Sequence, residues 1–71
     1  MNGELLIYPN PVNDILNITK EIDIKLYDMV GNLIISKEKT TKIDMTSLPS
    51  GIYNLNIFYN NKNINNRIIK Q

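Results

Sequence analysis

Seventy-one residues form one domain, in which only about 60% of the unfolded surface can be buried, so stability is modest. Eight basic against seven acidic residues leave a net charge of +1, which excludes the basic footprint of a nucleic-acid or anionic-membrane binder. Cysteine and histidine are both absent, which removes a disulfide framework and the most versatile metal-binding and acid–base groups. A chain without cysteine suits the cytosol, but a module carried on a larger exported protein can equally do without disulfides. The apolar run Leu5–Tyr8 ends at proline and is too short for a signal-peptide core, and no stretch approaches the roughly 20 apolar residues of a membrane-spanning helix. Met1–Gly3 reads as a linker or cloning remnant. Twelve scattered asparagines reflect coding bias rather than a site.

Taken in chain order, the pattern has period two. Strands are predicted at residues 4–8, 14–19, 21–28, 33–38, 41–45, 52–59 and 64–70. Between the first two lies Tyr8-Pro9-Asn10-Pro11. Neither proline can donate to a strand ladder, and Asn10 is pushed to extended geometry by the proline after it. The segment is predicted to be a stiff crossover that shields an edge from pairing. In the third strand Ile22, Ile24 and Leu26 share one face, while Asp23, Lys25 and Tyr27 share the other. Met29–Asn32 is a turn whose Gly31 can take positive φ. Ser47–Gly51 is a second turn, with Pro49 presetting φ and Gly51 free to go left-handed. Tyr53, Leu55, Ile57 and Tyr59 then point one way and Asn54, Asn56 and Phe58 the other. Asn60–Asn63 is a third turn, since asparagine tolerates the left-handed region. Seven short strands at this spacing predict an all-β fold, a small immunoglobulin-like β-sandwich.

The sequence offers little to catalysis. The serines are Ser36, Ser47 and Ser50, and none has a nucleophile-elbow setting. Ser36 and Lys37 are strand neighbours and point to opposite faces. Glu21, Asp23 and Lys25 share a face and read as a charge-balanced, solvated surface. No calcium loop or phosphate loop is present. Tyr8, Tyr53 and Tyr59 fall at strand ends or on apolar faces and read as core aromatics. No catalytic residue, metal site or cofactor is expected. One asymmetry remains: residues 1–44 hold five lysines and seven acids, or −2, whereas residues 45–71 hold only Lys62, Arg67 and Lys70, or +3. A solvated edge strand guarded by cations accounts for it, and it would also suit an anionic partner.

Four motifs together point further. They are Tyr8-Pro9-Asn10-Pro11 with Leu16 five positions on, Leu26-Tyr27-Asp28 with Gly31, Leu48-Pro49-Ser50-Gly51-Ile52-Tyr53, and Arg67-Ile68-Ile69-Lys70 near the end. In this order and spacing the chain resembles the C-terminal sorting domain of type IX secretion cargo proteins of Bacteroidetes. The resemblance covers nearly all 71 residues. It departs at the last hairpin turn, where Asn60–Asn63 replaces the family's glycine. The resemblance implies a non-enzymatic, immunoglobulin-like sandwich that ends a larger exported protein. It implies export through the periplasm and an outer-membrane translocon to the cell surface or beyond, with no insertion of the domain into the membrane. A β-barrel shuttle would bind the domain. A sortase would then cut ahead of it, at a site lost from this chain or reduced to Met1–Glu4, and the cargo would be released or joined to an anionic lipopolysaccharide.

The residues then expected to face partners are Tyr8, Pro9, Asn10, Pro11, Gly51, Arg67, Ile68, Ile69 and Lys70. In this reading the last strand, Ile64–Lys70, lies at an open edge and is read by strand addition. Alternation buries Ile68 and turns Ile69 outward. A non-catalytic adhesive or carbohydrate-binding module is the alternative, and it would need an exposed aromatic platform or a metal. A structural spacer is the third, and it would recur within its parent protein.

Overall fold

The computed structural model describes residues 4–71. The expected Met1–Gly3 remnant lies outside the described residues, as do the first three positions of the expected cut-site stretch. Five strands form one sheet: β1 Ile7–Tyr8, β2 Ile15–Tyr27, β3 Leu33–Asp44, β4 Gly51–Tyr59 and β5 Lys62–Lys70. All named strand pairs are antiparallel.

β2 organises the sheet. One of its edges carries β3 along most of its length. The other carries β1 against Asn17 and Ile18, and β4 against Asp23–Tyr27. β5 pairs with β4 from Gly51↔Lys70 to Tyr59↔Lys62. The chain between β1 and β2 crosses back to β5, where Val12 bridges Lys70 in parallel. One sheet is thereby curled on itself, with its inner face as the core.

The all-β expectation holds, but the count of seven strands becomes five, and the two expected layers are one curled sheet. The predicted breaks at residue 20 and at residues 39–40 fall inside β2 and β3. Neither place has a glycine or proline to stop a strand. The chain instead passes through register shifts between Asn17 and Ile22 and between Ile22 and Ile24, with Lys39 at φ 50°. A bulge bends a strand without ending it, so two predicted pairs merge into two long bent strands.

The inward residues are those that alternation selects. Leu16, Ile18, Ile22, Ile24 and Leu26 on β2, Ile43 on β3, Tyr53, Leu55 and Ile57 on β4, and Ile68 on β5 are all buried. Val12 and Met45 complete the core from outside the strands. Each such aliphatic side chain contributes about 1.5–3 kcal/mol relative to exposure. Tyr53 is buried as expected and donates its hydroxyl to the Pro49 carbonyl at 2.7 Å. Tyr59 is half-buried, but Tyr8 is 51% exposed and is no core residue. Its side chain alternates outward because Ile7, its neighbour, packs against the core.

Carboxylates tie two of the connections. In the β2–β3 turn the Asp28 carboxylate accepts from the Val30 N–H at 2.9 Å, the Asn32 N–H at 2.8 Å and the Asn32 side-chain amide at 3.0 Å. Gly31 sits at φ 98°, as its turn requires. After β3 the Asp44 carboxylate accepts from the Thr46 N–H at 3.0 Å. The Asn32 bonds hold the Asp28 pKa below its ordinary 3.8, and the Thr46 bonds do the same for Asp44. A depressed folded-state pKa means stability that is present above the ordinary value and lost as pH falls through the depressed one. The urea midpoint is therefore expected to be flat from pH 7 to 5 and to drop below about pH 4. In the double variant Asp28→Ala with Asp44→Ala, that acid-side drop should shrink; an unaltered drop would assign it to other groups. The β4–β5 connection is a two-residue turn, with Asn60 at φ 54° and Asn61 at φ 61°. It is tighter than expected, since Lys62 and Asn63 already belong to β5, and asparagine does supply the left-handed geometry.

Candidate functional site

The crossover and the last strand are joined by one side chain. The Asn10 amide nitrogen donates to the Arg67 carbonyl at 2.9 Å, and the Asn10 amide oxygen accepts from the Ile69 N–H at 2.9 Å. The carboxamide offers a donor and an acceptor side by side, as a peptide unit does, so it extends the β5 ladder. Backbone bonds continue the contact: the Val12 N–H donates to the Ile69 carbonyl at 2.8 Å, and the Gln71 N–H donates to the Val12 carbonyl at 2.9 Å. Proline on either side of Asn10 removes the N–H groups that would compete for position. Both bonds, Tyr8–Pro9 and Asn10–Pro11, are cis.

These contacts correct the expectation of an open final strand. Over Arg67–Lys70 one edge pairs with β4, and over Arg67–Gln71 the other is occupied by Asn10 and Val12. A partner cannot add a strand there without first displacing the crossover. The uncovered part of the outer edge lies earlier, at Lys62–Asn66.

Three of the four motifs nevertheless lie side by side, those of the crossover, the start of β4 and the end of β5, while the Leu26–Gly31 motif forms the β2–β3 turn. Ile52 lies directly opposite Ile69, and Gly51 opposite Lys70. Ile69 at 42% and Ile52 at 40% exposure are the apolar members of this surface, and Tyr8, at 51%, is exposed where the crossover begins. Pro9, Asn10, Pro11, Gly51 and Arg67 are exposed beside them. Gly51 opens β4 at φ 157°, and a Cβ built there would meet nothing within 4 Å. Two predicted recognition residues are not on the surface. Ile68 is 1% exposed, in line with its predicted burial, and Lys70 is 7% exposed. Strand alternation puts Lys70 on the same inward face as Ile68, and its Nζ reaches out to donate to the Gln71 carbonyl at 3.0 Å. Two residues of this region were missed in the sequence, Val12 and Ile52. The signal for Val12 was its position: an apolar residue directly after the second proline.

Elsewhere, the outer face of the sheet bears the expected charges. Asp23, Lys25, Lys37 and Glu38 line a shallow hollow of about 630 Å³, with Asn56 donating to Asn65 at 3.0 Å and Phe58 half exposed. Asp23 also accepts from the Lys39 N–H at 3.0 Å, which holds the bend in β3. Among the described residues no three carboxylates stand together as a metal site would require.

A model of the secretion-system C-terminal sorting domain matches residues 6–71, which takes in all five strands, the Asn10 clamp and the final motif. The chain belongs to the type IX secretion C-terminal sorting domain family. It is also similar to beta-agarase D of Zobellia galactanivorans, at 37% identity over 57 residues. The match covers 76% of this chain and 12% of that protein, so the sorting domain spans about an eighth of the relative it matches. Such a domain is a signal rather than a catalyst. It is attached to an N-terminal cargo, is handled by type IX secretion, and marks a secreted or cell-surface protein.

Proposed function

We propose that this sorting domain acts as a folded tag, and that its partners read the exposed surface where the Tyr8–Pro11 crossover meets Gly51, Ile52, Arg67 and Ile69. The domain directs its cargo through the outer-membrane translocon. A β-barrel shuttle holds it, and a sortase cuts ahead of residue 4 to release the cargo or join it to lipopolysaccharide. The observation that carries this reading is the pair of Asn10 bonds to β5, which brings motifs 57 and 59 positions apart onto one rigid surface. A surface assembled from both ends of a domain exists only when the domain is folded, so it reports folding as well as identity. Tyr8, Ile52 and Ile69 supply apolar contact and Arg67 supplies charge, a mix suited to a protein interface. Ile68 and Lys70 support this surface from beneath.

The test fuses the full chain to a reporter in a strain that secretes by this route. Ile69→Glu changes an outward side chain and should leave the melting temperature within a few degrees. Export is expected to fall at least tenfold, the size of effect seen when a central contact of an interface is lost. Export at the unmodified rate, with the fold intact, would remove this surface from the recognition step.

A further inference from the structure

Among the described residues the outer edge of β3 and the Lys62–Asn66 part of β5 carry no partner strand, and they are built differently. The outer edge of β3 carries Lys37, Glu38, Lys39 and Lys42 and is broken by the positive φ of Lys39. Charge and irregularity of this kind prevent edge pairing. The uncovered part of β5, Lys62–Asn66, has one lysine at its turn end and no irregularity. The Ile69 N–H and carbonyl both point outward to the crossover, so odd-numbered residues of β5 face away from β4. The N–H and carbonyl of Asn63 and Asn65, and the N–H of Arg67, therefore point away from the sheet along a stretch with no bend, charge or proline between its ends.

This edge overlooks a gap. The crossover reaches β5 only from Asn10 onward; before it, β1 lies on β2, where the Leu6 carbonyl accepts from the Thr19 N–H at 3.0 Å and the Leu6 N–H donates to the Thr19 hydroxyl at 2.9 Å. With Leu6 turned to β2, the backbone groups of Leu5 and Ile7 turn toward the gap. The gap opens into a cleft of about 360 Å³ lined chiefly by Leu5, Ile7, Ile57, Tyr59 and Ile64. Among the described residues, Leu5 and Ile7 on one side and Asn63 and Asn65 on the other have no partner strand on these edges, and the apolar cleft is lined from both segments.

We propose that this slit receives an extended strand from a partner protein, which pairs with β5 along Asn63–Arg67 and sends alternate apolar side chains into the cleft. This deepens the reading of the domain as a sorting signal by naming how the partner grips it. The incoming strand is acidic at its ends, because the edge is flanked by Lys62 and Arg67 and residues 45–71 contain no acid. Backbone bonding supplies affinity, and the cleft selects alternate residues.

Asn65→Pro tests the proposal in the full-chain reporter fusion. The Asn65 N–H points away from β4, so proline removes no ladder bond, only the exposed side-chain bond from Asn56, and denies one to an incoming strand. The melting temperature should stay within about 5 °C, a loss of under about 1 kcal/mol, while export drops at least tenfold. Should Asn65→Pro fail to fold, Asn63→Pro denies the neighbouring outward N–H to an incoming strand and decides in the same two ways. A folded edge variant exported at the full rate overturns the strand-addition mode. A reporter exported equally well without any of residues 4–71 would instead refute the sorting reading itself, so the two failures are distinguishable.

Discussion

Ile68→Ala is expected to cost about 3 kcal/mol of stability, and Ile69→Ala less than about 0.5 kcal/mol. The two isoleucines are adjacent in one strand and chemically identical, so the difference comes entirely from which face each occupies. Ile68 is 1% exposed, opposite Tyr53 and within the main core, whereas Ile69 is 42% exposed, opposite Ile52. Truncating the first leaves a cavity under the closure of the curl. Truncating the second trims a surface pair. In a domain of this size 1 kcal/mol moves the melting temperature by roughly 4–8 °C, so Ile68→Ala should melt roughly 15 °C below the parent, and Ile69→Ala should be nearly indistinguishable from it. Thermal denaturation by circular dichroism decides it. Equal losses at the two positions would mean that the last strand does not sit in the described register.

Asn10→Ala is the second large effect. It deletes both bonds to β5 at once, and each neutral hydrogen bond is worth about 1 kcal/mol. The expected loss is about 1–2 kcal/mol. The change should be local as well as global. With Asn10 gone, the Ile69 N–H has no acceptor in the crossover, while the Val12–Ile69 backbone bond remains. Hydrogen exchange at the Ile69 amide should therefore quicken about tenfold, while Leu55 and Ile57 in β4 change only in step with global stability. Asn10→Asp is a sharper control. It keeps an acceptor for Ile69 but sets a carboxylate against the Arg67 carbonyl in place of a donor, so stability should fall about as far. Unchanged exchange at Ile69 in Asn10→Ala would remove the clamp from the fold.

Together these variants separate two uses of the final motif. Ile68 and Lys70 face inward and support the sheet, and Arg67 and Ile69 face outward. A motif read only as letters merges the two sets. The sequence named all four of Arg67–Lys70 as facing partners while alternation already buried Ile68, and the structure turns Lys70 inward as well. The same division runs through the first motif, where Asn10 bonds to β5 and Tyr8 lies on the surface.

The sequence by itself determined the strand character, the inward faces of β2 and β4, the three turns and the family, because period-two patterning and turn residues act over a few positions. It also showed that Ile68 is buried and Ile69 is not. Tertiary structure alone decided that seven predicted segments are five strands, since a bulge at residues 18–22 and a left-handed Lys39 bend the chain without any local stop signal. It alone decided that Asn10 covers the edge at Arg67–Gln71 and leaves Lys62–Asn66 bare. The physical reason is range. Alternation is written in neighbouring residues, but whether a strand edge is free depends on what the rest of the chain, here a residue 57 positions away, lays against it.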